Sequence, residues 1–581
     1  MAEAGETNTS EAIIQSCTRD KGPGNEDSTT RAPSGEPVAE QRAQAKSATG
    51  ADGKIHSSFG TWEKRFIVLV ASLSGAISPF TTNIYFPALN TLASDLGVTI
   101  SQINLTITTY MIFQGLAPTF IGGISDDAGR RPALILCFVI YICANIGLAV
   151  QNNYAALLVL RCLQSSGSSG TVALAYAIIA DVITSAERGS YIGFTSLGSI
   201  LGPSLGPVIG GLLSQYLGWK AIFWFLSILG GILLIPLFLA FPETCRKIVG
   251  DGTIPPQRWN RSLRSYLIEK NRLKAGIAVD NAERDRRAKK RHLSFPNPLA
   301  VLKIVVEKEA ALILLFAGVY YAGFYGVTSS LSTQFSELYH LNNLQLGLAF
   351  IPLSLGSLAA AITNGRLVDA NYRRHAKRLG MPVDRKKQRD LRDFPIESVR
   401  LEIGIPFMYA AAVFVIIYGW LINYQVHVAG PLVVLFFTGY SVVASFNTFS
   451  ILGVDIYPGQ AATVSAANNL VRCLLGAGGT AIINPLILAF GRGWAFTFIA
   501  LMWVALSPML FAVVRWGPAW RKKRIELKEA KERKEEAENE QKVAKLEDDQ
   551  NAISEDKPDH NVIDQSDLTQ NQTREVTENL K

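Results

Sequence analysis

The chain has 581 residues, of which 48% are apolar and only 18% are charged, and its mean hydropathy is +0.20. Soluble domains usually carry about 25% charged residues, so this composition excludes an ordinary soluble enzyme and indicates an integral membrane protein. The net charge is +8. No two of the six cysteines fall in predicted extracytoplasmic loops, so we expect no disulfide framework.

The first 61 residues are polar, rich in Ser, Thr, Gly and Glu, and lack a cleavable signal, which predicts a disordered tail. A membrane-spanning helix needs about 20 mostly apolar residues, and twelve later segments meet that requirement. The first six are 66–85, 100–123, 132–150, 154–180, 191–213 and 221–241, and the second six are 310–331, 346–363, 403–422, 431–451, 461–490 and 494–514. The predicted fold is therefore an all-α integral membrane protein of two six-helix bundles.

Lys and Arg are concentrated in the connections on one side of this predicted bundle. Residues 243–308 hold sixteen Lys/Arg against seven Asp/Glu, and residues 366–402 hold eleven against six. The connections on the other side, at 151–154, 214–218 and 423–430, hold none. Because excess basic residues mark the cytoplasmic side, we expect a multi-pass membrane protein with both termini and the central insert in the cytoplasm.

This arrangement divides the chain into five segments. They are an N-terminal tail at 1–61, a first bundle at 62–241, a basic central loop at 242–309, a second bundle at 310–515 and a charged C-terminal tail at 516–581. The basic runs have no interleaved aromatic residues and no recognisable binding motif, so we interpret them as anchors at the lipid bilayer and expect no nucleic acid among the partners.

A short charged motif, G-x-x-x-D-x-x-[G/Y]-R-R, follows the second and the eighth spans. The first copy contains Gly122, Asp126, Gly129, Arg130 and Arg131, and the second contains Gly365, Asp369, Arg373 and Arg374. Glycine lets a helix end turn sharply, and the charged residues can pair across a bundle. Asp181 and Asp455 end the fourth and tenth spans in the same way. Matching features in two halves indicate a duplicated six-helix unit, which is typical of secondary transporters.

Two arginines lie inside predicted spans. An arginine at the centre of a membrane helix costs about 2.5–3.5 kcal/mol on insertion scales, so each should face a cavity or a polar partner. Arg161 is in the fourth span with Gln164 one turn away, and Arg472 is near the middle of the eleventh. To the substrate cavity we also assign amide and phenol side chains of five spans, namely Asn83, Tyr110, Gln114, Tyr320, Tyr321, Tyr325, Asn447 and Asn468.

The fifth span carries glycines at four-residue intervals together with two prolines. Its motif consists of Gly202, Pro203, Gly206, Pro207, Gly210 and Gly211. Glycines at this spacing form a smooth stripe for close helix packing, and each proline removes a backbone donor and bends the helix. A helix used only for packing needs the glycines but not both prolines, so we expect this span to take part in conformational change.

Together these motifs resemble the major facilitator superfamily over about residues 62–516. The charged motif resembles its loop motif, Arg161 and Gln164 match its fourth-span motif, and the fifth span is similar to the antiporter motif of its exporters. Residues 78–89 and 468–473 resemble the fungal twelve-span drug:proton antiporters of the quinidine-resistance type. The resemblance implies the major facilitator fold, a monomer without a cofactor or metal, and export of drugs, xenobiotics or a fungal secondary metabolite in exchange for protons.

One departure from that family bears on the source of energy. Many of its members carry an acid in the first span where this chain has Asn83, and no predicted span has Asp or Glu in its interior. A permanently charged arginine cannot take up or release a proton, so Asp181 and Asp455 are the candidates for proton coupling.

Two alternatives to a drug exporter stay open at this point. Because Arg161 and Arg472 have no acidic partner inside the membrane, a carrier for organic acids such as a dicarboxylate is the first. A non-transporting membrane receptor is the second, although the intact motifs disfavour it. The sequence contains no zinc-protease, nucleophile-elbow or P-loop pattern, so we expect no enzymatic activity.

Overall fold

A computed structural model describes residues 57–183, 188–257, 260–274, 299–380, 394–457 and 461–555. All of them belong to one compact unit that begins at Ser57, and their regular structure is helical throughout. Residues 1–56 of the predicted tail at 1–61, and the last residues, 556–581, lie outside the described residues.

The first half contains seven helices in the described part of the chain. They are α1 (Thr61–Ile84), α2 (Leu89–Leu96), α3 (Ile100–Ala128), α4 (Arg130–Val150), α5 (Tyr154–Val182), α6 (Arg188–Leu217) and α7 (Lys220–Leu239), with a 3-10 turn at Phe86–Ala88. Side chains define two of these helix starts: Thr99 accepts a hydrogen bond from the backbone of Gln102, and Asn153 accepts one from Ala155.

Short helices of the central loop precede the second half. The loop contains α8 (Arg246–Val249), α9 (Leu263–Lys274) and α10 (Leu299–Val306). The second half contains α11 (Lys308–Tyr339), α12 (Asn343–Ala349), α13 (Ile351–Arg378), α14 (Ile396–Asn423), α15 (Ala429–Ile456), α16 (Ala461–Leu506) and α17 (Pro508–Glu555). α16 bends at Gly491, where φ is 77° and ψ is 166°, so it holds the eleventh predicted span and most of the twelfth.

Eight helical stretches among the described residues are long and apolar enough to cross a membrane. α3, α5 and α6 are less apolar because Ser, Thr, Gly and Gln replace aliphatic residues, but they contain 29, 29 and 30 residues. At about 1.5 Å per residue each reaches across a bilayer. The predicted all-α membrane fold of two six-helix bundles is confirmed.

The two halves pack their helices in the same pattern. In the first half the closest pairs are α1 with α6, α3 with α5, α4 with α5, and α4 with α7. In the second half the corresponding pairs are α11 with α16, α13 with α15, α14 with α15, and α14 with the part of α16 beyond Gly491, where Tyr418 packs on Phe496. This repetition agrees with the duplicated unit that the sequence indicates.

The charged motif lies at helix ends and not in open loops. α3 continues five residues beyond the predicted end of the second span, and Gly129 then ends it with a φ of 119°. In the second copy Tyr372 stands in the place of Gly129, and α13 runs through the motif to its end at Arg378. Since glycine is the residue that readily adopts a positive φ, the two copies have different backbone shapes.

Candidate substrate site

The two ends of the bundle are distinguished by the central loop. At the end that we name the loop end, Ser58 donates its backbone N–H to Asp251 O at 2.8 Å, and Arg264 pairs with Glu63 at 2.9 Å. Because the chain runs back and forth across the bundle, the helices that begin at this end are α1, α4, α6, α11, α14 and α16. Turns such as 151–153 lie at the opposite end.

At the opposite end the two halves are in direct contact. Asn343, at the start of α12, donates from Nδ2 to Thr91 Oγ1 at 2.9 Å and to Ser214 Oγ at 3.1 Å. Phe86 stacks on Phe350 with ring centroids 5.8 Å apart. At the loop end, by contrast, the ion pairs described below join residues of the same half. The cleft between the halves is therefore closed at the opposite end.

A further contact between the halves uses a backbone carbonyl that a proline has freed. In an α-helix each N–H bonds to the carbonyl four residues earlier, so Pro118 in α3 leaves Gln114 O without its usual partner. Asn469 of α16 donates from Nδ2 to this oxygen at 3.3 Å. A side chain of the second half thus replaces the donor that is missing in the first half.

Pro207 in α6 creates the same arrangement a second time. It removes the N–H that Pro203 O requires, and Ser354 of α13 donates its hydroxyl to that oxygen at 3.0 Å. The carbonyl that Pro207 frees therefore has a hydrogen-bond donor in the other half. Pro207 contributes in this way to the contact between the halves, in addition to its effect on the shape of α6.

The glycine stripe of α6 packs against α1. A Cβ at Gly202 would lie 2.8 Å from Phe80 N, and one at Gly206 would lie 3.0 Å from Ile84 N, so the two backbones are in contact. Gly211, at the end of the stripe, instead lies against Asn343 of the second half. The stripe holds α1 and α6 together and ends at the contact between the halves.

Arg161 lies wholly inside the first half, where it is 1% exposed. Its guanidinium carbon is 4.2 Å from the ring centroids of both Tyr85 and Tyr110. Nη1 donates to Gln164 Oε1 at 2.6 Å, and Gln164 donates in turn to Asn145 at 2.7 Å. The predicted position of Arg161 and Gln164 in the substrate cavity is therefore not observed, because both are enclosed by their own bundle.

Arg472 lies where α3 of the first half meets α11, α15 and α16 of the second. It is partly exposed, and its guanidinium carbon is 5.0 Å from the ring centroid of Tyr321 and 5.9 Å from that of Phe446. Nη2 donates to Asn469 Oδ1 at 2.7 Å. Since Asn469 also donates to Gln114 O, it connects this cation to the contact between the halves.

A cavity of about 270 Å³ lies between α11, α15 and α16 at the loop end. Its walls are mostly apolar, and its polar groups are Ser450, Asp455, Ser465 and Asn468. Asn468 donates to Ser450 Oγ at 3.1 Å. Asn468 lines this cavity, and Arg472 follows it by one helical turn of α16 without lining the cavity itself.

Several predicted cavity residues lie beside this cavity or beside Arg472. The rings of Tyr321 and Tyr325 are in contact, with centroids 4.9 Å apart, and Tyr321 covers Arg472. Asn447 is half-buried on α15, three residues before Ser450 and thus on the same face of that helix. Gln114 takes part only through its backbone carbonyl, which Asn469 binds, because its predicted amide side chain is buried in the first half and points to Ser78. These residues belong to the candidate site.

Three other predicted cavity residues lie elsewhere. Tyr320 is fully buried in the second half, where its ring centroid is 4.5 Å from that of Trp503, so its assignment to the cavity is wrong. Tyr110 is also fully buried, and its hydroxyl bonds to Ser168 at 3.0 Å beside Arg161. Asn83 donates to Pro79 O at 2.7 Å within α1.

An ion-pair cluster lies at the loop end of the first half. Arg130 bonds from Nη1 to Asp126 and donates from Nε to Asp181 Oδ2 at 2.9 Å. Glu243, which follows α7, accepts the backbone N–H of Arg130 at 2.8 Å and so caps the start of α4. A Cβ at Gly129 would collide with the Glu243 carboxylate, so glycine is required there. The cluster joins α3, α4, α5 and the chain after α7.

The second half contains the same ion pair built from an unpredicted arginine. Arg400 donates from Nε to Asp455 Oδ2 at 2.9 Å, through the same atoms as Arg130 and Asp181. Asp181 and Asp455 therefore occupy equivalent positions in the two halves, each held by an arginine near the start of the neighbouring helix.

The second copy of the charged motif does not take part in that pair. Asp369, Arg373 and Arg374 are exposed on α13, so their predicted equivalence to the first copy is wrong in three dimensions. In this half contacts of α13 with α14 are made instead by Tyr372, whose ring lies 5.4 Å from the guanidinium carbon of Arg400, and by Asn371, which donates to Val399 O at 2.9 Å.

Three other residues of the two motif copies have surroundings of a different kind. Arg131 donates to Leu237 O at 3.2 Å. Gly122 and Gly365 have open space where a Cβ would be.

Sequence reasoning also missed buried charges in the C-terminal helix α17, beginning at its fourteenth residue, Arg521. Arg521 Nε lies 3.2 Å from Glu397 Oε1, and Arg524 Nη1 lies 3.0 Å from Glu309 Oε2. These pairs tie α17 to α11 and α14. In the sequence, Arg130 precedes Asp181 by 51 residues and Arg400 precedes Asp455 by 55 residues. These similar intervals could have identified Arg400 as the partner of Asp455. No local motif identifies Arg521.

Comparison with known proteins agrees with this geometry. The chain matches the Major Facilitator Superfamily over residues 71–481. It is 48% identical over 468 residues to the MFS-type transporter phiD of a fungal species, which covers 81% of this chain and 70% of that protein. It is 38% identical over 471 residues to citrate exporter 1 of Aspergillus niger, which covers 80% and 88% of the two chains.

The structure is also similar in fold to the xylose transporter XylE from E. coli, in a partially occluded inward open conformation. The TM-score is 0.54, the identity is 14%, and the match covers 78% of this chain and 98% of that one.

Proposed function

Because this chain belongs to the major facilitator superfamily, and is therefore a multi-pass membrane transporter of small molecules and not an enzyme, we propose that it exports small organic molecules by alternating access. The observation that carries the proposal is the difference between the two ends of the cleft. The halves are joined at the opposite end through Asn343, whereas the ion pairs at the loop end lie within each half, and a cavity lined by residues of the second half lies at that end. Substrate sites of secondary transporters lie between the two repeats.

We assign the loop end to the cytoplasm, together with both termini, because its connections carry the excess of Lys and Arg. In this orientation the conformation is open to the cell interior, which is the state in which an exporter takes up its substrate. The plasma membrane is the proposed location, since removal of a compound from the cell requires transport across that membrane. Drugs or a fungal secondary metabolite are the cargo that the resemblance to the quinidine-resistance type implies.

We further propose that transport is coupled to proton entry through Asp181 and Asp455. Each carboxylate accepts a hydrogen bond from one arginine at the loop end, at 2.9 Å in both halves. Protonation removes the negative charge that holds the arginine, so both halves would release their pair in the same way. The release of these pairs provides a physical link between proton binding and the closing of the loop end.

Transport by the purified protein in proteoliposomes tests this function. With rhodamine 6G and citrate as probes and an imposed pH gradient, we expect the protein to concentrate at least one probe, and a protonophore to abolish the effect. Asp181→Asn and Asp455→Asn should each lower the accumulation at least tenfold, whereas Glu526→Gln, at an exposed position of α17, should not. Equal accumulation with and without the pH gradient contradicts proton coupling, and failure to move either probe contradicts the proposed export.

A further inference from the structure

The charge of Arg472 is not neutralised by the part of the protein that the structure describes. A guanidinium has five N–H donors, and the hydrogen-bond partners that the structure gives Arg472 are an amide and a thiol: Nη2 donates to Asn469 Oδ1, and the guanidinium also contacts the Cys473 side chain. The faces of Tyr321 and Phe446, at 5.0 and 5.9 Å, contribute a weaker attraction. None of the described Asp or Glu residues forms an ion pair with Arg472, so its charge lacks a counter-ion.

Three acids of the second half at the loop end already have basic partners. Asp455, which lines the same cavity, is paired with Arg400. Glu309 and Glu397 are paired with arginines of α17 at the loop end. A movement of the protein that brings one of these acids to Arg472 would break an existing pair, so a ligand is the simpler source of negative charge.

We propose that the exported molecule carries an anionic group, such as a carboxylate, and that this group binds the open edge of the Arg472 guanidinium. The inference rests on the proposed function, because it specifies the chemical class of the exported molecule. A planar guanidinium binds a carboxylate through two parallel hydrogen bonds. The rest of the molecule occupies the mostly apolar cavity between α11, α15 and α16, whose walls include Ile313 and Phe449.

Binding of an anion at Arg472 also affects the contact between the halves. Nη2 donates to Asn469 Oδ1, and Asn469 Nδ2 donates to the carbonyl of Gln114 that Pro118 has freed. An anion competes with Asn469 for the same guanidinium. Substrate binding therefore acts on the side chain that holds α16 to α3, so the occupied site is linked to a contact between the halves.

Matched acids and esters test the inference without knowledge of the natural substrate. The probes are citrate, succinate and benzoate, each compared with its methyl ester, and binding is measured on the purified full chain by the shift of its unfolding midpoint in tryptophan fluorescence. We expect at least one acid to raise the midpoint and its uncharged ester not to do so. This comparison uses the wild-type protein only.

Variants then identify the cation. Arg472→Gln should weaken binding of the active acid at least tenfold, and Arg472→Lys should weaken it less, because lysine keeps the charge but lacks the planar fork. Arg492→Gln is the matched control: it removes a guanidinium of α16 that pairs with Glu337 at the opposite end, and it should bind the acid as the wild type does.

Esters that bind as tightly as their acids overturn the inference, as does equal binding of the acid by Arg472→Gln, or the absence of binding by all three acids. The same reagents separate it from the proposed function. If esters are transported in proteoliposomes and acids are not, export stands and the anionic class is wrong. If acids bind through Arg472 but do not cross the bilayer, the site is correct and the proposed export fails.

Discussion

Arg161 and Arg472 are both arginines inside a membrane helix, one in each half, yet their surroundings differ. Arg161 is 1% exposed, lies 4.2 Å from two tyrosine rings and bonds to Gln164 within its own bundle. Arg472 is partly exposed, has more distant rings and bonds to Asn469, which holds the other half. The first cation is enclosed by its partners, and the second retains free capacity to bind.

The comparison shows that an intramembrane charge is not by itself a sign of a binding site. Both arginines carry the same insertion cost of about 2.5–3.5 kcal/mol. In the first half, two aromatic rings and an amide network offset that cost, so Arg161 needs no ligand. In the second half, the described residues offset the insertion cost of Arg472 only in part. This cation lies one helical turn beyond Asn468, which lines a cavity.

The largest expected effect is that of Arg161→Ala on folding. Removing the guanidinium leaves Gln164 Oε1 without its donor and opens a space between Tyr85 and Tyr110, for which we expect a loss of about 3 kcal/mol or more. The amount of folded protein, measured by fluorescence-detected size exclusion, and the unfolding midpoint should both fall.

The assignment of Arg161 to the substrate cavity from the sequence predicts a different result for Arg161→Ala, namely loss of export at normal abundance in the membrane. Arg161→Lys should recover only part of the stability, because an ammonium cannot replace the planar group between two rings. If Arg161→Ala folds as well as the wild type but does not transport, then Arg161 acts on the substrate and the contrast between the two arginines is mistaken.

Arg472→Gln should show the reverse behaviour. We expect its folded amount and unfolding midpoint to stay close to those of the wild type, because the substituted amide can still bond to Asn469. Accumulation of the transported probe in proteoliposomes should fall at least tenfold. A variant that loses folded protein to the same extent as Arg161→Ala would mean that the two cations have the same structural role.

Smaller effects are expected where prolines free the carbonyls. Pro118→Ala and Pro207→Ala each restore a helical N–H to Gln114 O and Pro203 O, so each should weaken one hydrogen bond between the halves, worth about 1 kcal/mol. The conformation closed at the opposite end should become less populated. Distances between spin labels at Leu217→Cys and His340→Cys, both exposed at that end, measure this shift.

Pro236→Ala in α7 is the control for the proline variants, because it changes a helix whose described packing lies within the first half. Its distance distribution should match that of the parent. If Pro118→Ala and Pro207→Ala also leave the distribution unchanged, the freed carbonyls do not contribute to closing the cleft.

The smallest effect is expected for deletion of residues 549–581. The pairs that tie α17 to the second half, at Arg521 and Arg524, lie before this segment, and both arginine sites are remote in sequence. Transport rate and unfolding midpoint should equal those of the full chain. A reduced rate at normal abundance would assign a regulatory role to the tail.

Much of the architecture was predictable because long apolar segments in a bilayer have few alternatives to helices. The glycine interval of α6 also predicted its close contact with α1, and the positions of Asp181 and Asp455 predicted two equivalent acids. These features depend on local spacing, which the sequence displays directly.

Contacts that depend on distant residues were not predictable in the same way. The second charged motif predicted that Arg373 would act as Arg130 does. In the structure α13 continues through Tyr372, and the arginine that pairs with Asp455 is Arg400. Helical spacing gave no means to decide that Tyr320 faces Trp503 while Tyr321 faces Arg472. The difference between Arg161 and Arg472 likewise arises from side chains on neighbouring helices.

The central claim, an open and positively charged cleft at Arg472 and a closed site at Arg161, is tested most directly by thiol labelling. In a chain without its six native cysteines, Asn468→Cys probes the cavity and Ser168→Cys probes the Arg161 site. Two methanethiosulfonate reagents of similar size, one anionic and one cationic, are applied from the loop side. After correction for intrinsic reactivity, we predict faster reaction of the anionic reagent at Asn468→Cys, loss of this preference with Arg472→Gln, and no reaction at Ser168→Cys. A preference for the cationic reagent at Asn468→Cys, or equal labelling of the two positions, would contradict the account.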